Sequence, residues 1–252
     1  MTKDQDPGTV LVTGAGRRLG RAIALDLANR GWRVAVHYGA SAEAASALVA
    51  EILAKGGKAA ALPAELSRLD TLAPLVEACA KTVGPPTCLI NNAARFDRDT
   101  VATLTAESWE AHLDVNLRAP VFLTQAFAAS LPAGATGNVV NLIDQKVLRL
   151  NPDYFSYTIA KAALWTATRT MAQALAPRIR VNAVAPGPVI KARGQSEAEF
   201  EGEFRSTLLK RKVSPEEVVA AIRFLIDSPS ITGQMIALDG GQHLAFESRE
   251  AG

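Results

Sequence analysis

Short apolar runs alternate along this chain with longer segments of helical pattern. Thr9–Thr13, Arg33–Tyr38, Lys58–Leu62, Thr87–Asn91, Asn138–Leu142, Arg180–Val184 and Met235–Leu238 have the length of strands. Val10-Leu11-Val12-Thr13 and Thr87-Cys88-Leu89-Ile90 carry no charge, as strands covered on both faces do. Between the runs, the stretches near 18–30, 41–55, 70–82, 106–130, 155–176 and 196–226 predict helices, the last one broken. This alternation predicts an α/β fold: a doubly wound parallel sheet of about seven strands with helices on both faces. Ligands of such sheets bind beyond the carboxyl ends of the strands, where the strand order reverses. The whole chain, 1–252, is expected to form one domain. Residues 188–210, which carry Lys191 and Arg193, are expected to leave the sheet as an excursion.

Composition narrows the class. With 252 residues, 48% of them hydrophobic, the chain can bury a large core. A net charge of +2 and no long block of like charge argue against a nucleic-acid partner. Lys210-Arg211-Lys212 is read as a solvated helix end. The opening Met1–Pro7 is polar, and no apolar run approaches the ~18 residues of a membrane span, so a cytoplasmic protein is expected. Cys79 and Cys88 have neither metal nor redox spacing and are expected as reduced core thiols. His37, His112 and His243 are scattered in sequence, so no metal is expected.

The candidate chemistry falls at the strand ends. After the first strand comes Thr13-Gly14-Ala15-Gly16-Arg17-Arg18-Leu19-Gly20, then the helical Arg21-Ala22-Ile23-Ala24. Such a turn offers free N–H groups and a helix dipole to a pyrophosphate. Gly14 permits the turn, Gly20 permits close helix–sheet approach, and Arg17 and Arg18 add guanidinium groups that grip phosphate. The second strand ends in Val36-His37-Tyr38-Gly39-Ala40-Ser41, and no acid lies between Asp26 and Glu43. A carboxylate at this place would favour NADH by accepting from ribose hydroxyls. Without it, and with Arg17, Arg18 and Ser41 near, NADPH is the expected cofactor, with His37 and Tyr38 among its neighbours.

Tyr157 and Lys161 are four residues apart on a predicted helix, and Asp144 precedes the tyrosine by thirteen. The spacing stacks both side chains on one helix face, and an ammonium beside a phenol is expected to lower its pKa. Asp144 is expected to hold its proton beside a phenolate, so it can donate to a ring nitrogen. Pro120 lacks an N–H, so the carbonyl of Asn116 is expected to be free to hold a water.

Together these motifs resemble the short-chain dehydrogenase/reductase family, whose sheet is Rossmann-type. The phosphate turn is similar to that family's T-G-x-x-x-G-x-G, with Arg18 at the central glycine. Asp144 stands where the family has serine. Arg18, Asp144 and Phe96 together resemble its pteridine reductase branch. The resemblance implies further roles. Glu65 takes the place of an aspartate against the adenine. Asn92-Ala93-Ala94 packs on the cofactor, and Pro186-Gly187 closes over the nicotinamide. Residues 188–210, which follow it, form a substrate lid. Lys161 binds ribose hydroxyls, Tyr157 donates the proton, and Asn116 joins a proton relay. Arg18 also reaches the substrate, Phe96 stacks on a pterin, and Tyr154 lines the pocket. Assembly into a homotetramer or homodimer through 106–130 and 155–176 is implied as well.

The expected activity is thus NADPH-dependent reduction of a C=N bond in a pterin or dihydrofolate-like compound. Two alternatives stay open: reduction of a ketone or 3-oxoacyl thioester on the same scaffold, and a dinucleotide-binding regulatory protein without turnover.

Overall fold

The computed structural model describes residues 7–191 and 195–245. Arg193, expected on the lid, and Met1–Asp6 lie outside the described residues. Seven parallel strands form one sheet: β1 (Thr9–Val12), β2 (Arg33–Tyr38), β3 (Lys58–Pro63), β4 (Pro86–Asn91), β5 (Gly137–Leu142), β6 (Ile179–Pro186) and β7 (Met235–Leu238). Their order is β3-β2-β1-β4-β5-β6-β7, so the direction of winding reverses between β1 and β4. The fold is therefore the Rossmann-type α/β sheet that the alternation predicts.

Side-chain alternation along each strand feeds two apolar layers. Val10 and Val12 of β1 point into one, with Val34, Val36 and Ile90. It is covered by α1 (Arg18–Asn29), α2 (Ala42–Ala54) and α8 (Pro215–Asp227), through residues such as Ile23, Leu48 and Ile222. Leu11 points the other way, into a layer with Leu89, Val139 and Val181. That layer is covered by α3 (Leu72–Thr82), α5 (Ala119–Ser130) and α6 (Phe155–Leu175), through Leu75, Phe127 and Ala172. A buried polar chain also crosses it. Asn91 Nδ2 donates to Asn141 Oδ1 at 2.8 Å, and Asn141 Nδ2 donates to Thr168 Oγ1 at 2.8 Å.

Two predicted helices are divided, each for a local reason. The stretch 196–226 breaks into α7 (Glu197–Arg205) and α8 because each piece has its own capping box, Ser196 with Glu199 and Ser214 with Glu217. Pro215 adds a favoured first residue to α8. The stretch 106–130 becomes α4 (Ala106–Leu113), a π-helical turn at Asp114–Arg118, and α5, with Pro120 its second residue. The missing N–H of Pro120 is thus met by a wider helical turn ahead of it.

Candidate active site

The phosphate turn and the loop after β4 meet at the switch point of the sheet. Thr13 Oγ1 accepts from the backbone N–H of both Asn92 and Ala93, each at 2.9 Å. Asn92 returns a bond from Nδ2 to the Thr13 carbonyl at 2.8 Å. This contact requires glycine on its other side. A Cβ on Gly20 would lie 2.3 Å from the Gly14 carbonyl and 2.6 Å from Asn92 Nδ2, and one on Gly14 would lie 3.1 Å from Ala93 Cα. The turn therefore packs directly on the loop after β4, with no room for side chains at Gly14 and Gly20, and this close packing seats the start of α1 at the strand ends. A Cβ on Gly16 would touch Ser41 Oγ at 3.1 Å, which places Ser41 beside the turn.

Arg18 has a left-handed backbone, φ 53°, where a side chain is disfavoured and glycine is not. Arg17 and Arg18 are exposed, Leu19 half-buried. Arg18 Nη2 donates across the opening to the Ile190 carbonyl at 3.0 Å, joining the turn to the segment after β6. His37 sits beneath the turn rather than in the opening. Its Nδ1 accepts from Gly14 N–H at 3.0 Å, and its Nε2 donates to the Ala64 carbonyl at 3.1 Å. Burial holds its pKa below the ordinary value, although the Ala64 carbonyl pulls the other way. Tyr38 is half-buried at the end of β2. Glu65 is exposed and tied to its own turn by Ser67 N–H and Oγ–H. On the far side, Pro186 ends β6, and Gly187 packs so closely on Asp239 that its Cβ would lie 2.8 Å from Asp239 Cα.

The second half of the site is carried by α6, the strand end after β5 and the loop after β4. Tyr157 and Lys161 lie one turn apart on α6, both buried. Tyr157 Oη donates to Asp144 Oδ2 at 2.9 Å, and Asp144 Oδ1 accepts from Lys146 N–H at 2.8 Å. Lys161 Nζ donates to the Leu142 carbonyl at 2.6 Å and lies 5.8 Å from the centre of the Tyr157 ring. Burial pushes Asp144 up from the ordinary carboxyl value, against the opposing pull of the Lys146 N–H, Lys146, Tyr157 and Lys161. Burial lowers Lys161 to about 8, against the attraction of Asp144. The expectation that Lys161 depresses the tyrosine pKa is not met. Tyr157 stands well above the ordinary phenol, because burial comes first and Asp144, by its charge and its hydrogen bond to the hydroxyl, adds to it.

Phe96 faces Tyr154 in a near-parallel stack, 4.2 Å between centres, and meets Tyr157 edge-on at 4.7 Å. Tyr154 caps the start of α6 from a left-handed backbone, φ 56°, with Lys146 Nζ 5.1 Å from its ring centre. Its ring converges with that of Tyr157 on the single ring of Phe96. Asn116 is fully buried in the π turn, and its amide clamps Arg95: Oδ1 accepts from Arg95 N–H and Nδ2 donates to the Arg95 carbonyl, both at 2.9 Å. That side-chain role is absent from the sequence expectation, which concerned the carbonyl. Sequence reasoning also missed a buried cluster of Asp99, His112 and Ser156 behind the two aromatic rings. Cys79 and Cys88 are buried free thiols, their pKa values raised to about 12 by burial. Among the described residues, no three His, Cys, Asp or Glu side chains gather as a metal site.

A glycine-rich turn into a helix start at the switch point, beside a Tyr–Lys pair on one helix, defines a dinucleotide-dependent oxidoreductase of Rossmann type. A family model described as Enoyl-(Acyl carrier protein) reductase matches residues 14–243, and the chain belongs to the short-chain dehydrogenase/reductase family. Among solved structures, the FolM alternative dihydrofolate reductase 1 of Brucella canis complexed with NADP superposes with a TM-score of 0.95. It is 43% identical, with 100% of each chain covered. The Brucella suis protein of the same name, also with NADP, gives 0.94 at 44% identity and 99% coverage of both chains. A 3-oxoacyl-[acyl-carrier-protein] reductase of Synechocystis sp. is 37% identical over 236 residues, 92% of this chain and 95% of its own.

Proposed function

We propose that this chain uses NADPH to reduce a C=N bond in a pterin or dihydrofolate-like ring. The observation that carries the reading is Asp144. It accepts a hydrogen bond from the tyrosine hydroxyl, and burial raises its pKa above the ordinary carboxyl value. Once protonated during turnover it would donate a proton, which a ring nitrogen requires and a ketone oxygen can obtain from a plain hydroxyl. The 43% identity to proteins called dihydrofolate reductases supports the same choice.

The cofactor reading rests on the glycine-rich turn at Gly14 and Gly20 and on the similar Brucella structures, which are complexed with NADP. Arg17, Arg18 and Ser41 would hold the 2′-phosphate, and the N–H groups at the start of α1 the pyrophosphate. Asn92, Ala93 and Ala94 would pack on the ribose, with Glu65 near the adenine and Pro186-Gly187 near the nicotinamide. The reduced nicotinamide supplies the hydride. Tyr157, whose pKa keeps it protonated across the neutral range, is the proton donor. Lys161, charged below about pH 8, holds ribose hydroxyls and stabilises the tyrosine after it has given its proton. Asn116 supports this set through the Arg95 backbone, next to Phe96. Phe96 would stack on the flat substrate, Tyr154 would line its pocket, and Arg18 would reach it from the phosphate turn.

The ketone or 3-oxoacyl thioester alternative is favoured by one observation, the 37% identity to the Synechocystis enzyme. A panel of NADPH oxidation rates over dihydropteridines, dihydrofolate and ketones separates the two. Within it, Asp144→Ser is expected to lower the ratio of pterin to ketone activity by ~10²-fold or more. An unchanged ratio would put the ketone reading first.

Assembly as a homotetramer, or a homodimer, through α5 and α6 belongs to the same proposal, as does a cytoplasmic location. Phe122 of α5 is over one third exposed in the isolated chain. No helix among the described residues is long and apolar enough to cross a membrane.

A further inference from the structure

Two segments bring the aromatic rings of the site together, and neither belongs to the sheet. Phe96 rides on the loop after β4, and Tyr157 on the first turn of α6. His112, fully buried in the last turn of α4, touches both segments at the residue next to each ring. Its Nε2 accepts from the Asp97 N–H at 3.1 Å, adjacent to Phe96. Its Nδ1 donates to the Ser108 carbonyl at 2.9 Å and lies 2.7 Å from Ser156 Oγ, adjacent to Tyr157. The two backbone partners fix the tautomer: Asp97 needs a lone pair at Nε2, and the Ser108 carbonyl needs a hydrogen at Nδ1.

The circuit closes through Asp99. Ser156 donates to its carboxylate from both N–H, at 3.1 Å, and Oγ–H. The Phe155 N–H donates to the Asp99 carbonyl at 3.2 Å. Burial of Asp99 opposes its charge, but these bonds outweigh it and hold its pKa below the ordinary value. The chain Asp97–His112–Ser156–Asp99 thus leaves the Phe96 loop, crosses to α6 and returns to the same loop. One turn further along, Asn116 grips Arg95 on the other side of Phe96.

We propose that His112 is a positioning residue that sets the placement of the stacking ring, Phe96, against the proton donor, Tyr157. The proposal rests on the pterin reductase reading above. It assigns one nitrogen to each partner. Nε2 holds the loop that presents Phe96 to the ring substrate, and Nδ1 holds the turn that presents Tyr157. A satisfied core histidine would contribute to stability alone and would not divide in this way.

Amide side chains separate the two functions. In His112→Asn the amide N–H takes the place of Nδ1 and nothing reaches Asp97. In His112→Gln the amide oxygen takes the place of Nε2 and the contact with Ser156 is lost. His112→Asn is expected to raise KM for a dihydropterin by roughly tenfold or more with kcat nearly held. His112→Gln is expected to lower kcat by a similar factor with KM nearly held, since small misplacements of reacting groups cost up to about a hundredfold. NADPH affinity by fluorescence titration should be unchanged in both. Thermal melting of each variant accompanies the kinetics. Lowered melting temperatures with wild-type kcat and KM in both variants would overturn the proposal, and so would equal, parallel losses in kcat and KM. If wild type fails to reduce dihydropterins but reduces a ketone, the function reading falls while the kcat loss of His112→Gln on that ketone still tests the positioning of Tyr157. Wild-type ketone turnover in His112→Gln would then overturn the proposal.

Discussion

Around Gly14 and Gly20 the site is shaped by side chains that are missing, and around Tyr157 it is shaped by side chains that are buried. The first half is backbone brought close to backbone: two glycines, the Thr13 hydroxyl and a helix start. Its task is to hold a charged ligand, and main-chain N–H groups do that with little change in protonation. The second half holds Asp144, Tyr157, Lys161, His112, Asn116 and Asp99 in a confined volume, with the pKa values of Asp144, Tyr157 and Lys161 moved by burial. Its proposed task is to move a proton, and desolvation tunes that. The halves should therefore fail differently: damage to one removes affinity, damage to the other removes turnover.

The largest effect expected is Tyr157→Phe, which should lower turnover by ~10²–10⁴ while leaving NADPH affinity as in wild type. A dissociation constant that moves with the rate would erase the division between halves. Next is Gly20→Ala. Its methyl group would meet the Gly14 carbonyl and Asn92, at a cost of up to about 3 kcal/mol, or roughly a hundredfold in NADPH affinity. Wild-type affinity in that variant would show that the turn yields freely.

Arg18 sharpens the comparison because it breaks the rule of its own half. NADPH should bind at least about tenfold more tightly than NADH, and Arg18→Gly should narrow that gap. The same change relieves the left-handed backbone at φ 53°, so the melting temperature should rise, by about 0.5–1 kcal/mol in stability. Affinity and stability moving in the same direction would contradict the role given to the guanidinium.

The smallest effect is the pH dependence. Lys161 is protonated below about 8, and the charged form is the working one, so the rate should fall as pH rises through that value. The lysine's share of stability should move the other way. The unfolded lysine keeps its proton up to about its ordinary 10.5, so between about 8 and 9, before the unfolded Cys79 and Cys88 thiols titrate at their ordinary 9.0, the unfolded state binds more protons and stability rises with pH. Lys161→Met should abolish that rise in a series of melts. A rise that survives in the variant would assign it to another group.

The division also explains what could be read from the chain alone. The phosphate turn is local in sequence, eight residues from Thr13 to Gly20, so its shape and chemistry are visible as a motif. The strand pattern is equally plain, because uncharged runs such as Val10-Leu11-Val12 leave few options for a doubly covered sheet. Tyr157 and Lys161 were legible for the same local reason. The π turn was not, since a helical pattern from 106 to 130 fits a continuous helix and Pro120 says only that something must give. His112 was invisible as a site residue because its partners come from positions 97, 108 and 156. The raised pKa of Tyr157 was likewise beyond reach. It depends on burial and on the Asp144 carboxyl beside the hydroxyl, neither of which is written in a four-residue spacing.

The buried chain from Asn91 through Asn141 to Thr168 has a consequence for the working pair some distance away. Apolar helix faces tolerate sliding, because one methyl group serves nearly as well as the next. A hydroxyl that must meet one amide at 2.8 Å does not. Thr168 lies seven residues beyond Lys161, about 10 Å along the helix axis, so it works as a peg that gives α6 one seat on β5. A slip by a single residue would turn the tyrosine and lysine about 100° away from the strand end and strand the Asn141 amide without a partner. The placement of Tyr157 and Lys161 is in this sense set from the middle of the molecule, by three neutral side chains buried in its core.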